Sequence, residues 1–558
     1  MRHTKFGFTL LLFLQTSFIW SQSTWYVATT GNDNNSGTFS SPFKSIPKAI
    51  EEANPGDEIL LRGGNYASNE IRIGKNNLSL RSYPGEWAII TASTSVEDIA
   101  SCIWYNEPDV VGGLLENLEI IGGAFYGVSF ETNWEWGLPD NERHGVRGVT
   151  IRNCKIHHTG RDCIKIKPGC DGIQVLNCEI HHSGVGYLNL PENGGPNAEG
   201  IDNVNGNLMV VRGCYFHDIS TSGVYAKGGA KGCKIEENLF INIGEGGILL
   251  GFYTDADYFD AGSNPEYYEC INSIARNNII IGTGGAGIGF WGAIDCRAYN
   301  NTVVTASTAY HAPLHIAKAE VYIDENTTAT PPCRNIEVFN NIFIDQSGNS
   351  EEDHTVQVRD GALAGNNNIN HNIFYKTGGP AQFDDNINYP PLTFSEWKSM
   401  YGYDQQSLET NPQLDANYHL SSGSPAIDAG VQVQNTLVRD YDGATRSGTY
   451  DIGADEFGQG NALTVPPATG VIGTGNNTSV ATQDIQQAIF EVFPNPASDW
   501  IFIKEMPAGA VAVLYDSAGK LITTSLESAM KITDVPPGNY FLSLISLQSV
   551  VSQAIIIQ

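Results

Sequence analysis

The chain has 558 residues, with 31 Lys and Arg against 61 Asp and Glu, a formal net charge of −30. So acidic a surface repels phosphate backbones and anionic lipid, which argues against nucleic-acid and membrane-surface partners, though a local basic cluster can still hold an anion at short range. Hydrophobic residues make up 41% and aromatics 10%, enough for a packed interior, and 60 glycines suit short strands and many turns.

In chain order, a basic start (Met1 to Lys5), an apolar run (Phe6 to Trp20) and small or polar residues after it predict a signal peptide over 1–22. No later stretch is apolar for long enough to predict a transmembrane helix. Ser41 to Ala53 predicts a short amphipathic helix, started at Ser41 or Pro42 and stopped by Pro55-Gly56.

From about Gly127 the chain repeats. Cys163-Ile-Lys-Ile-Lys, Gly200-Ile-Asp-Asn-Val, Gly223-Val-Tyr-Ala-Lys, Gly247-Ile-Leu-Leu-Gly and Gly287-Ile-Gly-Phe-Trp align, and Gly127-Val-Ser-Phe-Glu fits the same frame. Each is followed by a second run ending in a polar pair, such as Asn153-Cys154, Asn177-Cys178, Asn277-Asn278 and Asn300-Asn301. A 24-residue spacing from Gly223 to Gly247 is about one solenoid turn of three short strands. The expected fold is all-β: a parallel β-helix with a helical N-terminal cap. Cys154, Cys178 and Cys214 fall in one column continued by Asn278, Asn301, Asn341 and Asn372, predicting buried thiols followed by an asparagine ladder. Strand spacing leaves such thiols out of disulfide geometry.

Period-two alternation turns the third and fifth residues of each aligned strand outward. The third column reads Ser129, Lys165, Asp202, Tyr225, Leu249, Gly289; the fifth reads Glu131, Lys167, Val204, Lys227, Gly251, Trp291. Asp162, Glu199 and Arg161 stand at the neighbouring strand starts. Removing a proton beside a carboxylate needs a base, plus cations or a metal to hold the developing charge. Clustered lysines depress one another's pKa, so Lys227 is assigned as base and Lys165 as neutraliser, with Tyr225 able to take either proton role. Asp162, Glu199 and Asp202 are hard oxygen ligands suited to Ca²⁺. Lys167 and Arg161 would hold an anionic substrate, and Trp291, Tyr253 and Tyr258 would stack on its rings. The plain alternative is a set of cross-strand ion pairs, Lys165 with Asp202 above all. His157, His181 and His217 form another column, with His158, His182 and Asp218 beside it, either a transition-metal site or a stacked structural ladder.

After Phe457 a Gly/Thr/Asn/Ala/Val-rich stretch, 458–487, predicts a flexible linker between a β-helix domain at 23–457 and a small β-sandwich at 488–558.

Trp25-Tyr-Val-Ala-Thr-Thr-Gly-Asn-Asp, Pro42-Phe-Lys-Ser-Ile-Pro-Lys-Ala-Ile and Pro55-Gly-Asp-Glu-Ile-Leu-Leu-Arg-Gly resemble the opening of right-handed β-helix polysaccharide lyases of the pectate lyase and chondroitinase B kinds. Ser421 to Gly430 and Asp451-Ile-Gly-Ala-Asp-Glu-Phe457 look like their closing segment. Val492-Phe-Pro-Asn-Pro-Ala-Ser-Asp, Leu514-Tyr-Asp-Ser-Ala-Gly-Lys-Leu and Pro536-Pro-Gly-Asn-Tyr-Phe-Leu resemble the C-terminal sorting domain of type IX secretion cargo. The resemblances imply a monomeric protein, secreted or attached to the cell surface by the type IX machinery, and a lyase acting on an anionic polysaccharide. A glycoside hydrolase using Asp162, Glu199 and Asp202, and a non-catalytic carbohydrate-binding surface protein, are the alternatives.

Overall fold

A computed structural model describes residues 22–135, 142–185, 197–304, 309–346, 354–433 and 439–474, and most of 491–557. The expected signal peptide lies outside the described residues.

Three long parallel sheets wind around one interior. The first holds 12 strands from Thr24–Val27 to Asn368–Asn370, the second 11 from Ile71–Arg72 to Phe383–Asp384, and the third 12 from Gly64–Ala67 to Leu408–Glu409. Register on the second sheet follows the repeat: Ser129, Lys165, Asp202, Tyr225, Leu249 and Gly289 are successive partners, and Val204 pairs with Lys227. The residues flanking them in sequence, such as Ile164, Ile166, Val224, Ala226 and Ile248, are fully buried. The glycines that open these strands have a steric cause. A Cβ on Gly200 would stand 2.6 Å from the Gly223 carbonyl oxygen, and one on Gly223 2.5 Å from that of Gly247.

The polar pairs turn the chain between sheets. The first residue of each adopts a left-handed conformation, with φ of 53° at Asn153, 49° at Asn177 and 52° at Asn277, which Asn tolerates. The second points inward and donates to a carbonyl of the preceding coil: Cys178 Sγ to Ile151 at 3.6 Å and Cys214 Sγ to Val175 at 3.4 Å, then Asn278 to Ile235 at 2.9 Å and Asn301 to Ala275 at 3.0 Å. From Asn238 onward the side chains also bond to one another, Asn238 Nδ2 to Asn278 Oδ1 at 3.0 Å, Asn278 Nδ2 to Asn301 Oδ1 at 2.9 Å and Asn301 Nδ2 to Asn341 Oδ1 at 2.9 Å. Cysteine and asparagine thus make the same interstrand bond, and all ten cysteines are buried and free.

Two helices close the ends of the core. The first is Ile46–Glu52, capped by Ser45. It starts later than expected because Phe43 bridges to Val27 in extended backbone, while Asp33 accepts from the Lys44 and Ser45 amides. The second, Phe394–Tyr401, is set by a Thr393/Glu396 capping box and buries Trp397 against Phe383.

The coils end near Glu409, not at Phe457. The chain then runs back along the outside of the third sheet. Leu420 and Ile452 pack on Ile342, Ile344 and Ile373; Tyr441, Ala454 and Val465 pack on Leu239 and Ile279. The Thr474 amide donates to the Gly213 carbonyl at 2.9 Å. The start of the expected linker, as far as Thr474, is therefore docked, because the outward side chains of these coils are aliphatic and need cover. Within 491–557 lie two antiparallel sheets, of three and four strands, whose residues share one buried cluster including Ile501, Leu514, Met530 and Leu542.

Candidate functional site

A groove of about 830 Å³ opens on the second sheet. Lys165, Asp202 and Lys227 stand on its floor with Lys167 and Val204, and Arg161 and Tyr126 line one end. Trp134 rises from one side and Tyr253, Thr254, Asp255 and Tyr258 from the insertion after Phe252; Glu320 and Tyr322 close the rim. Strand pairing alone sets the floor, because three consecutive coils carry charge at the two outward columns. Most of the insertion between Gly184 and Ala198 lies outside the described residues.

Under this floor the three carboxylates come together. Asp162, Glu199 and Asp202 are 0%, 3% and 3% exposed, with ligand oxygens within 4.8 Å of one another. Lys165 Nζ contacts Asp202 directly and lies 4.0 Å from Asp162, while Lys227 Nζ lies 3.8 Å from the other Asp202 oxygen. Asp162 Oδ2 and Asp202 Oδ1 are buried and accept no hydrogen bond. Thr221 donates to Glu199 at 3.1 Å, and the Glu199 amide to Asp162 at 3.2 Å.

The electrostatics split the cluster. Burial would raise the Asp202 carboxyl, but Lys165 and Lys227 outweigh it and hold it below its ordinary value. Burial, reinforced by Asp162 and Asp202, pushes Glu199 well above the usual carboxylate range. Asp162 is also raised by burial, against the pull of Lys165. For Lys165, burial favours the neutral amine, but Asp202 and Asp162 more than offset it and push the pKa up. Lys165 departs from the expected depression by a neighbouring lysine: its ammonium faces carboxylate oxygen, which holds it as a fixed cation.

Lys167 lies 3.1 Å from Glu131, which also accepts from Trp104 Nε1 at 3.1 Å. Arg161 Nε donates to the Asn197 carbonyl at 3.2 Å, keeping the guanidinium at the groove end. Tyr258 stacks on Trp134 with centroids 4.5 Å apart, and Trp134 Nε1 donates to the Asp257 carbonyl at 2.9 Å, tying two insertions into one wall. Tyr253, also lining the groove, is 51% exposed.

Two expected residues are misplaced. Trp291 is 2% exposed and does not line the groove. Its indole folds back over Gly289, where an added Cβ would meet the ring at 2.0 Å, and packs on His315 and Phe252. Tyr225 is likewise 2% exposed. Its hydroxyl accepts from Ser222 at 3.1 Å, and burial and Glu199 push its pKa well up. Its ring lies 4.4 Å from the Lys227 ammonium and stacks on Phe252, so it supports the lysine and exchanges no proton with the groove.

One residue escaped the strand pattern. Glu269, fully buried at the end of the insertion, accepts from the Gly228 amide at 2.8 Å and the Thr254 hydroxyl at 2.7 Å. Burial pushes its carboxyl up to about 7. It clamps the turn after Lys227 to the groove wall.

Fold and groove together define a right-handed parallel β-helix protein with a charged cleft on one sheet. Residues 25–302 match the model of the Pel9A-like, right handed beta helix region, and residues 491–558 that of the secretion system C-terminal sorting domain. The tail marks the chain as type IX secretion cargo, secreted or held at the cell surface, and no helix among the described residues is long and apolar enough to cross a membrane. A curated relative, pectate lyase PEL9 of Emericella nidulans, is 39% identical over 71 residues, 12% of this chain and 17% of that protein. Similar solved structures include pectate lyase Pel9A, with a TM-score of 0.45 and 17% identity over 79% of this chain and 98% of that one. The A-module of mannuronan C-5 epimerase AlgE6 from Azotobacter vinelandii gives 0.41 and 13%, over 66% and 96%.

Proposed function

We propose that this chain is a secreted polysaccharide lyase that cleaves an acidic, uronate-containing glycan by β-elimination. The observation that carries the reading is the groove floor, where Lys165, Lys167, Lys227 and Arg161 meet over three buried carboxylates in one open cleft. Lys165 is committed to Asp202 and Asp162 and supplies a standing positive charge for a substrate carboxylate. Lys227 has only a longer contact to Asp202, 3.8 Å, so of the two it is less tied to carboxylate and takes the role of base, acting in its neutral form. As base it removes the proton beside the uronate carboxylate; the electron pair forms the C=C bond as the C–O bond to the leaving sugar breaks. Lys167 and Arg161 hold neighbouring acidic sugars, and Tyr253 and Tyr258 border the chain path.

Asp162, Glu199 and Asp202 fit a calcium ion by donor chemistry: oxygens within 4.8 Å of one another, two accepting no hydrogen bond. When bound, calcium would supply further positive charge toward the substrate carboxylate. Hydrolysis is less well supported, because retaining and inverting enzymes set two carboxyl groups about 5 to 9.5 Å apart across the scissile bond, whereas these three crowd together beneath one floor.

Incubation with a panel of uronate polymers should give rising ultraviolet absorbance from an unsaturated product. New reducing ends without that absorbance would mean hydrolysis, and neither signal would leave a binding protein. Lys227→Ala should lower turnover by about 10²–10⁴-fold with a thermal midpoint close to wild type; retained turnover removes the base assignment. Chelation followed by Ca²⁺ readdition should abolish and restore activity if the carboxylates hold the ion, and activity indifferent to chelator rejects that part.

A further inference from the structure

A second cluster of donor atoms lies on the third sheet, away from the groove. His157, His181 and His217 occupy in-register positions on successive strands, their rings stacked at 4.4 and 4.5 Å. His158 and His182 follow in left-handed turns, φ 53° and 51°, and stack at 4.7 Å. This turns the two rings of each pair toward each other on the outer face of the sheet, with Nδ1 atoms 2.7 Å apart in His157/His158 and again in His181/His182.

Two observations separate this from a structural ladder. The third coil shows what the structural solution is: the turn residue is Asp218, which accepts a charge-assisted bond from His217 Nδ1 at 2.8 Å and one from Asn242 at 2.5 Å. Histidine at 158 and 182 replaces that charge-assisted bond with a neutral Nδ1–Nδ1 hydrogen bond of 2.7 Å, in which one ring donates to the other, and adds a second ring nitrogen to each pair. The second is a carboxylate behind the ligand. Glu119 faces His157 Nε2 at 3.2 Å, so Nε2–H donates and Nδ1 keeps its lone pair toward the neighbouring ring. Such a carboxylate–histidine arrangement fixes the tautomer of a metal-bound imidazole.

We propose that His157, His158, His181 and His182 form a site for a first-row transition ion of the Zn²⁺ type. An ion bonded at roughly 2.0–2.1 Å to each nitrogen needs ligands about 3.3 Å apart in a tetrahedron. That lies between the 2.7 Å nitrogen separation within each pair and the 4.4–4.7 Å centroid spacing between coils, so binding turns the stacked rings, now 11° and 6° from parallel, toward a shared ion. His158 is exposed and His181 and His182 partly so, leaving an approach from solvent.

The test uses the untagged full chain. Co²⁺ titrated into it should give the visible absorption of a four-coordinate site at one equivalent, discharged by Zn²⁺. His158→Asn/His182→Asn should weaken Zn²⁺ binding at least tenfold, measured by competition with a chromophoric chelator. Asn242, left-handed on the next coil, shows that Asn suits this turn. Asp202→Asn, which alters only the groove cluster, should leave Zn²⁺ binding unchanged. X-ray absorption of the Zn²⁺-loaded wild type should show three or four imidazole nitrogens. No binding, unchanged affinity in the double variant, or an oxygen-dominated shell would overturn the site.

Discussion

Two buried charge clusters occupy different faces of the same coils and are built to opposite ends. On the first sheet Glu236 is fully buried between Arg212 and Arg276, accepting from Arg212 at 2.8 and 2.6 Å and from Arg276 at 2.7 Å. Burial would raise its carboxyl, but the two guanidiniums hold it far below the ordinary range. On the second sheet Asp162, Glu199 and Asp202 crowd together with two lysines, two oxygens accept no hydrogen bond, and Glu199 is driven up. Equal burial therefore yields a satisfied ion triad in one place and frustrated charge in the other. The frustrated one borders an open groove, where a substrate or cation can complete it.

The sharpest way to break that comparison is to remove one carboxylate from each. Glu236→Ala strands two buried guanidiniums and should cost about 3–5 kcal/mol, read as a large drop in thermal midpoint. Glu199→Gln replaces a carboxyl that burial already holds toward its neutral form, so the midpoint should stay near or above that of wild type while turnover falls at least about 10²-fold. Equal destabilisation by both would make the second cluster structural too. The pH dependences should also oppose. Glu236 is depressed in the fold, so its contribution is present above the unfolded pKa and lost on acidification. Glu199 is raised, so its contribution is present at low pH and lost as pH rises.

How much of this is legible in sequence follows from which interactions are periodic. Lys165, Asp202 and Lys227 share a face because in-register strand pairing carries an outward column from coil to coil, and the Cys-to-Asn ladder is readable for the same reason. Trp291 and Tyr225 obey the same alternation yet end up buried. Phe252, leading the insertion, packs over both, and nothing in a strand pattern says where an insertion folds back. Glu269 has no columnar signal, since its role arises from bonds to Gly228 and Thr254 made on folding. The return of residues 414–433 and 439–474 along the third sheet is hidden similarly. Its polar Asp440-Tyr-Asp-Gly and Asp451-Ile-Gly-Ala-Asp-Glu runs look like surface turns, although Arg446 buries itself against the Gly453 and Ala454 carbonyls at 2.9 Å each.

The smallest expected effect belongs to the residue between these extremes. Glu269 has one oxygen bonded to Gly228 and Thr254 and the other, Oε1, buried without a partner, so it shares the satisfied character of Glu236 and the frustrated character of Glu199. With its carboxyl raised to about 7, the folded chain binds a proton there that the unfolded chain releases near 4.5. Its contribution to stability is therefore intact below about pH 4.5 and declines as pH rises through 7, by up to about 3 kcal/mol if the whole shift is expressed. Glu269→Gln keeps an oxygen for Gly228 and Thr254 and removes the titration. Thermal midpoints of wild type and variant should coincide near pH 4.5 and separate at pH 8, the variant melting higher. Identical profiles at both pH values would show that Glu269 does not titrate in the fold, and would place it with the satisfied cluster.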